Sequence, residues 1–494
     1  MTEGIDVLTA PDGARLTLQA LPGRGWRCCR MDHAPHAFVA SHPTLREALL
    51  DALPGMDEND PWLISQLSLH APVELPGSPV PEELSAGPAP GAAGTAPVRR
   101  PPPGGRVLIA GSGFAALEAA LALQAFAGDR ARIELLSPWA RLSYLPEATA
   151  APFGASPDSE HPLDVLLEAT GATWHPGVLA EVDTKGRRVV TGTGHEVGYD
   201  HLVVAVGAQR IPAFPGSGTV TFGGPGDVGA VQAVFAQLIR GAHAGVRSRL
   251  AIVVPAGPSW ALPAYELALI GARHLARHGA GDAVSITVVT AEERPLAALG
   301  DRAGAAIAAE LEAAGVELVA GHVVRGLAMG EIALLPSGRI HADRVIAIAR
   351  LRGPATPGLP HDELGFIRAD RWGRVQGAPG VYVAGDAGSF PIKQGGLACQ
   401  QADTVASLIA AELGAPLEPI PFEPVLRTTL WTGGRPVHMR SPLPAGRAVE
   451  REAAGDAELW WPAAKVAGHF LAPFLAGRPA GRLADTPPST EPRA

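Results

Sequence analysis

Cysteine is almost absent from this chain. Three stand in 494 residues, the adjacent Cys28 and Cys29 and the distant Cys399. That is too few for a disulfide framework and fits a reducing compartment. Lysine is equally scarce: of 40 lysine and arginine side chains only Lys185, Lys393 and Lys465 are lysines, so each is worth locating. Long apolar runs are missing too. No stretch approaches the roughly 18 residues needed to cross a bilayer. The opening MTEGIDVLTAPDG has neither the basic nor the apolar region of a secretory leader, so the expected location is the cytoplasm. Positive charge is not in excess: a net charge of −9 argues against a nucleic-acid partner. No spacing of ligand residues suggests a metal site.

What is present is apolar and ordered by pattern. With 47% hydrophobic and 18% charged residues, the chain can fill large soluble cores, and its length predicts two or three domains. Residues 1–76 read as a small α+β module, with strand-like alternation up to about residue 40 and a helical stretch HPTLREALLDAL capped by Thr44. Residues 77–105, rich in Pro, Gly and Ala, read as an extended linker, and 481–494 as a disordered tail. Between them strands and helices alternate, the mark of parallel α/β architecture. RVLIAG, ARIELLS, RLAIVVP, SITVVT and RVIAIA are expected strands. GVLAEVD, RRVVTG and HLVVAVGA read as a meander, and a last α+β domain spans 415–480.

The richest stretch is RVLIAGSGFAALEAALAL. It sets Gly111, Ser112, Gly113, Phe114, Ala115 and Ala116 on the turn between a strand and a helix. Gly111 permits the tight turn, Gly113 admits a pyrophosphate to backbone N–H groups, and Ala116 lets helix and strand pack closely. The helix N-terminus adds positive partial charge. The second strand ends in Ser137, where an acid usually holds the ribose; serine makes a weaker, uncharged contact. Far along the chain, GFIRADRWGRVQGAPGVYVAGDAGSFPIKQGG delivers Gly385 and Asp386 just past a strand end, where a carboxylate suits the hydroxyls of a ribityl chain. Gln394, Gly395 and Gly396 open a further helix behind them.

With YDHLVVAVGA and its Gly207 between those two motifs, the sequence resembles the two-dinucleotide-binding-domain flavoproteins, the pyridine nucleotide–disulfide oxidoreductase superfamily, from about Arg106 to Ala411. The resemblance implies an α/β fold with a Rossmann-like FAD-binding domain in two segments, 106–222 and 345–414. A degenerate nucleotide-binding domain is inserted at 223–344. FAD is the expected cofactor. Nicotinamide is not: the inserted domain's first turn, VVPAGPSWALPAYELAL, has only Gly257 among three prolines, and Trp260 takes volume where a second pyrophosphate would approach. Its next strand ends in Thr290, with Glu292 and Glu293 following. This pattern looks like the sulfide:quinone oxidoreductase and flavocytochrome c sulfide dehydrogenase branch, and LLSPWARLSYLPEATAAPFG is similar to the flavin-proximal loop of that branch and of single-subunit NADH:quinone dehydrogenases. The cysteine pair of that branch is missing, and Cys399 reads as a small buried residue.

Within that resemblance Glu266 falls near the flavin edge, with a solvated helix carboxylate as the alternative. Tyr144 and Glu147 either line the active face or belong to a structural loop. Lys393, between Asp386 and the helix at Gly395, is expected to reach the pyrimidine end of the flavin and stabilise the charge that reduction puts there, rather than to pair on the surface. The aromatic set Trp460, Trp461, Phe470 and Phe474 is expected to pack on the flavin domain or a dimer mate, ahead of a membrane-surface role, and a homodimer is the expected assembly. Three functions remain open: an FAD-dependent oxidoreductase passing electrons from an unidentified donor to a quinone or protein acceptor, an NAD(P)H dehydrogenase with a non-standard nicotinamide site, and a non-catalytic flavin-binding scaffold or sensor.

Overall fold

A computed structural model describes residues 5–9, 15–21, 25–30, 104–155, 160–328, 330–443, 452–478 and 481–484. The chain forms two compact units, Met1–Pro101 and Pro102–Ala494. In the first, strands β1 (Ile5–Thr9), β2 (Arg15–Leu21) and β3 (Gly25–Arg30) make an antiparallel sheet in that order. Cys28 and Cys29 fall on β3. The helix expected after Thr44 and the linker up to residue 103 lie outside the described residues.

The second unit opens with β4 (Gly105–Ala110), α1 (Phe114–Ala127), β5 (Ala131–Ser137), β6 (Thr173–Pro176) and β7 (His201–Val204). There follow β8 (Val220–Phe222), α2 (Val228–His243), β9 (Ser248–Val253), α3 (Leu262–Arg277), β10 (Val284–Val289), α4 (Asp301–Ala313), β11 (Glu317–Val319) and β12 (Arg344–Ile348). The chain ends with β13 (Val381–Val383), α5 (Gly395–Glu412), β14 (Val425–Leu430), β15 (Val437–Pro442), β16 (Ala453–Gly455) and α6 (Leu471–Leu475).

Two parallel sheets result, β13-β7-β4-β5-β6 and β8-β12-β9-β10-β11. In each, the first strand of the nucleotide-binding pattern is central, so the turn after it sits where the strand order reverses, the place such sheets bind ligands. Both faces of β4 are covered: Val107 and Ile109 enter one apolar cluster with α1, Leu108 and Ala110 the other. That is why VLIA, residues 107–110, is apolar throughout instead of alternating. β14, β15 and β16 form a separate antiparallel sheet.

The structure corrects four expectations. HLVVAVGA does not continue the meander; its β7 pairs in parallel with β4 and β13, and the antiparallel strands Leu179–Asp183, Arg188–Thr191 and Glu196–Gly198 stand apart. β8 and β12 both belong to the second sheet, so the inserted domain runs a few residues wider at each end than 223–344. Gly105 already opens β4 rather than closing a linker. Gly481–Ala484 are not free tail: Trp461 and Ala484 exchange both backbone bonds at 2.8 Å, and Leu483 N–H donates to His469 O at 2.9 Å. Among the described residues no helix is long and apolar enough to cross a membrane, and no cluster of His, Cys, Asp or Glu could hold a metal.

Candidate functional site

A cleft runs between the two parallel sheets and encloses about 1410 Å³ of non-atom space, open solvent at its mouth included. One end begins at α1. Gly111 turns the chain with φ +132°, and a Cβ there would fall on Ala205 O, so only glycine fits. Gly113, Phe114 and Ala115 line the cleft. The helix has no side-chain cap and no acid in its first turn, and nothing lies within 4 Å of where a Gly113 Cβ would be. Its leading N–H groups therefore face open space, a cradle for an anion. Gly207 and Arg210 continue the wall.

The middle of the cleft is polar. Gly385 takes φ +77°, and a Cβ there would lie 3.0 Å from the Ala115 Cβ and 3.2 Å from the Ala398 Cβ, so α1, this turn and α5 converge. Asp386 lines the cleft, and burial pushes its carboxyl up, with Lys393 and Arg210 pulling it back. Lys393 is 4% exposed; its Nζ donates to Gly388 O and lies 3.8 Å from the Phe366 ring centre. Burial pushes this ammonium down to about 8, while Asp386 and Asp362 oppose the shift. Lys393 is thus a buried, cleft-lining cation and not a surface ion pair. Gln394 and Gly395 line the same wall. Gln394 Oε1 caps α5 by accepting from Leu397 N–H at 2.9 Å, and its Nε2 donates to Arg427 O at 3.0 Å.

At the far end Glu266, on α3 and 1% exposed, meets Lys465. Lys465 Nζ donates to both carboxylate oxygens at 2.7 Å. Thr149 Oγ1 and the Trp431 N–H donate to Glu266 at 2.8 Å each. The Trp431 ring centre is 3.8 Å from the ammonium, a cation–π contact. Burial pushes Lys465 down, and Glu266 opposes the shift. Both Glu266 and Lys465 line the cleft. So Glu266 is no solvated helix carboxylate. An ammonium has three N–H bonds; two go to Glu266, and the Trp431 ring faces the same ammonium.

The remaining expected residues lie behind the walls. Tyr144 is buried, stacks edge-on against Phe114 at 5.3 Å and accepts from the Val466 N–H at 3.0 Å. Glu147 is half-buried and acts on Tyr144 and Lys465 through its charge. Ser137 is committed inward, donating to Trp139 O at 2.7 Å and accepting from Trp174 Nε1 at 3.1 Å. Gly111, Ser112, Ala116 and Gly396 shape the turns rather than the lining. Cys399 is buried on α5, where desolvation and the neighbouring Glu118 and Asp403 push its thiol well up. Phe470 packs edge-on against Phe126 of α1 at 5.4 Å and, with Phe474, joins the first sheet's helix layer, whereas Trp460 is fully buried edge-on against His438 of β15 at 5.6 Å. Lys465 is the site residue that the motifs missed; its only signal was the scarcity of lysine.

Residues 105–402 match the pyridine nucleotide-disulphide oxidoreductase family. The chain belongs to that family. Curated relatives include the NADH dehydrogenase-like protein Rv1812c of Mycobacterium tuberculosis, 31% identical over 57% of this chain and 72% of its own length. A second is the type II NADH:quinone oxidoreductase Ndh of the same organism, 28% identical over 66% and 77%. Among solved structures the fold is shared with the sulfide:quinone oxidoreductase of Aquifex aeolicus, with TM-score 0.62, 18% identity, and 71% of this chain and 86% of that one covered. It is shared also with NDH2 of Plasmodium falciparum, with TM-score 0.55, 12% identity, and 71% and 91% covered. The chain is accordingly an FAD-dependent oxidoreductase rather than a non-catalytic scaffold. The uncapped α1 turn, the half-buried Asp386 and the buried Lys393 fit that cofactor.

Proposed function

We propose that this enzyme passes electrons from a donor other than a nicotinamide, through FAD, to a quinone or a protein acceptor. The observation that carries the reading is the first turn of the inserted domain. Pro255, Pro258 and Pro263 have no N–H to offer a pyrophosphate, and Trp260 lines the cleft in their midst. The nearby acid is engaged as well: Glu292 accepts from Tyr265 Oη at 2.9 Å and from Leu296 N–H at 3.2 Å.

Bound FAD supplies two-electron redox chemistry. The chain's own groups divide the remaining work. The leading N–H groups of α1 hold the pyrophosphate, and Asp386 accepts from the ribityl hydroxyls. Lys393 supplies positive charge at the pyrimidine end. Leu145, Phe222, Trp260, Leu262 and Ile348 make an apolar wall that suits a planar ring and excludes water. Lys465 stands at the end of that wall as a cleft-lining ammonium, and Glu266 keeps it charged between turnovers. A second reading, an NAD(P)H dehydrogenase with a non-standard site, is favoured by the names of the curated relatives. Anaerobic stopped-flow mixing with NADH and NADPH separates the two. Slow or absent flavin bleaching supports the first; bleaching at rates typical of dehydrogenases establishes the second.

A further inference from the structure

The segment that carries Lys465 is held from behind by two acids that the cleft does not use. Glu118, on α1 and fully buried, accepts N–H bonds from Phe470 at 2.7 Å and Leu471 at 2.8 Å. Asp403, on α5, lies within hydrogen-bonding reach of Glu118. Its Oδ1 is buried with no donor facing it. Two ionised carboxylates are acceptors only, so a proton must join them. The chain presses close here: a Cβ on Gly468 would fall 2.6 Å from Glu118 Oε2 and 3.0 Å from Cys399 Sγ. The other polar neighbours are the neutral Cys399 thiol on α5, His469 with Nδ1 3.7 Å from Asp403 Oδ2, and Arg482, whose charge acts on Asp403.

We propose that Glu118 and Asp403 share one proton and together clamp residues 468–471, so that they position Lys465 in the cleft. The functional part of this rests on the role given to Lys465 above. With one proton the pair carries a single negative charge, which the two backbone N–H groups and Arg482 offset. When that proton leaves to solvent, two like charges stand in apolar packing between α1 and α5. Repulsion is relieved by releasing Phe470 and Leu471, and the strain passes along Gly468 and Val466 to Lys465. The sign follows from linkage. Burial, and then Glu118, raise the Asp403 carboxyl well above its ordinary range. The unfolded chain gives up this proton near about pH 4. The clamp's contribution is therefore complete below that and declines as pH rises through the folded-state value.

Two measurements on the full-length holoprotein test the clamp. Infrared spectra at neutral pH should show the carbonyl band of a buried protonated acid, and that band should vanish in Asp403→Asn. Amide hydrogen exchange, corrected for intrinsic rates, should show protection of Phe470 and Leu471 falling on the order of tenfold from about pH 6 to about pH 10. In Asp403→Asn, whose amide donates as the acid does, protection should stay level. Should that variant not hold FAD, Glu118→Gln takes its place and should lose the same infrared band. A band that survives in either variant, or level protection in the wild type, overturns the clamp. Neither readout depends on Lys465. An unaltered flavin reduction rate in Lys465→Met would instead overturn the cleft role alone.

Discussion

Lys393 and Lys465 are two of only three lysines in an arginine-rich chain, and both are buried against the cleft. Arginine is larger, always charged and planar; a lysine can sit in a tight wall and change its charge within the working pH range. Lys393→Met should lower the flavin reduction potential and slow reduction while FAD stays bound. In the wild type the potential should fall more steeply as pH rises through about 8, where this ammonium loses its charge, and the variant should lack that inflection. Spectroelectrochemical titration reads both; an unchanged potential in fully loaded variant would falsify the role. Asp386→Ala should weaken FAD binding by about 1.5–3 kcal/mol, the worth of a hydrogen bond to a charged group, measured as occupancy after dialysis. Lys393 was legible in the sequence because Asp386 and Gly395 flank it. Lys465 was not, because Glu266 stands 199 residues earlier and no local pattern announces a pair closed only by folding.

At the scale of elements, the cleft's far end is a junction of α3 with the strand-rich C-terminal region. Glu266 brings α3 there, Lys465 and Trp431 come from the other side, and Thr149 from the loop after β5. Removing one member of so buried a pair leaves the other charge uncompensated. Lys465→Met should cost about 3–5 kcal/mol in denaturant unfolding, and Lys465→Met with Glu266→Gln should recover most of it. Additive losses in the double variant would show that the two do not act as a pair. The elements themselves were largely readable, since apolar strands alternating with amphipathic helices dictate a parallel sheet. Sheet membership was less so. β7 follows three short strands and looks like their continuation, yet Leu202, Val203 and Val204 are apolar and buried on both faces, and they pair beside β4. β12 likewise returns to β9 before the chain re-enters the first sheet at β13. Strand length and hydropathy say that a strand is buried, not which neighbours bury it.

At the scale of the whole molecule, every described residue lining the cleft lies between Gly113 and Val466, within the unit that begins at Pro102. Both parallel sheets, the antiparallel sheet of β14–β16 and the apolar clusters that join them belong to it. In the first unit, β2 pairs with β1 and β3. A protein shortened to begin at Pro102 should therefore fold, stay yellow and keep the thermal midpoint of its FAD-containing unit within a few degrees, since no cofactor group or core strand is lost. The opposite terminus should behave differently. Gly481–Ala484 look dispensable by composition, but Ala484 is paired with Trp461, and Leu483 with His469, on either side of Lys465. Ending the chain at Pro479 removes those bonds and frees the segment that the Glu118 carboxylate holds at Phe470. That shortened protein should still bind FAD, because α1 and Asp386 are untouched. It should lose amide protection at Val466 through Leu471 and show slower flavin reduction, and unaltered exchange at those amides would mean that the acid pair alone fixes the segment.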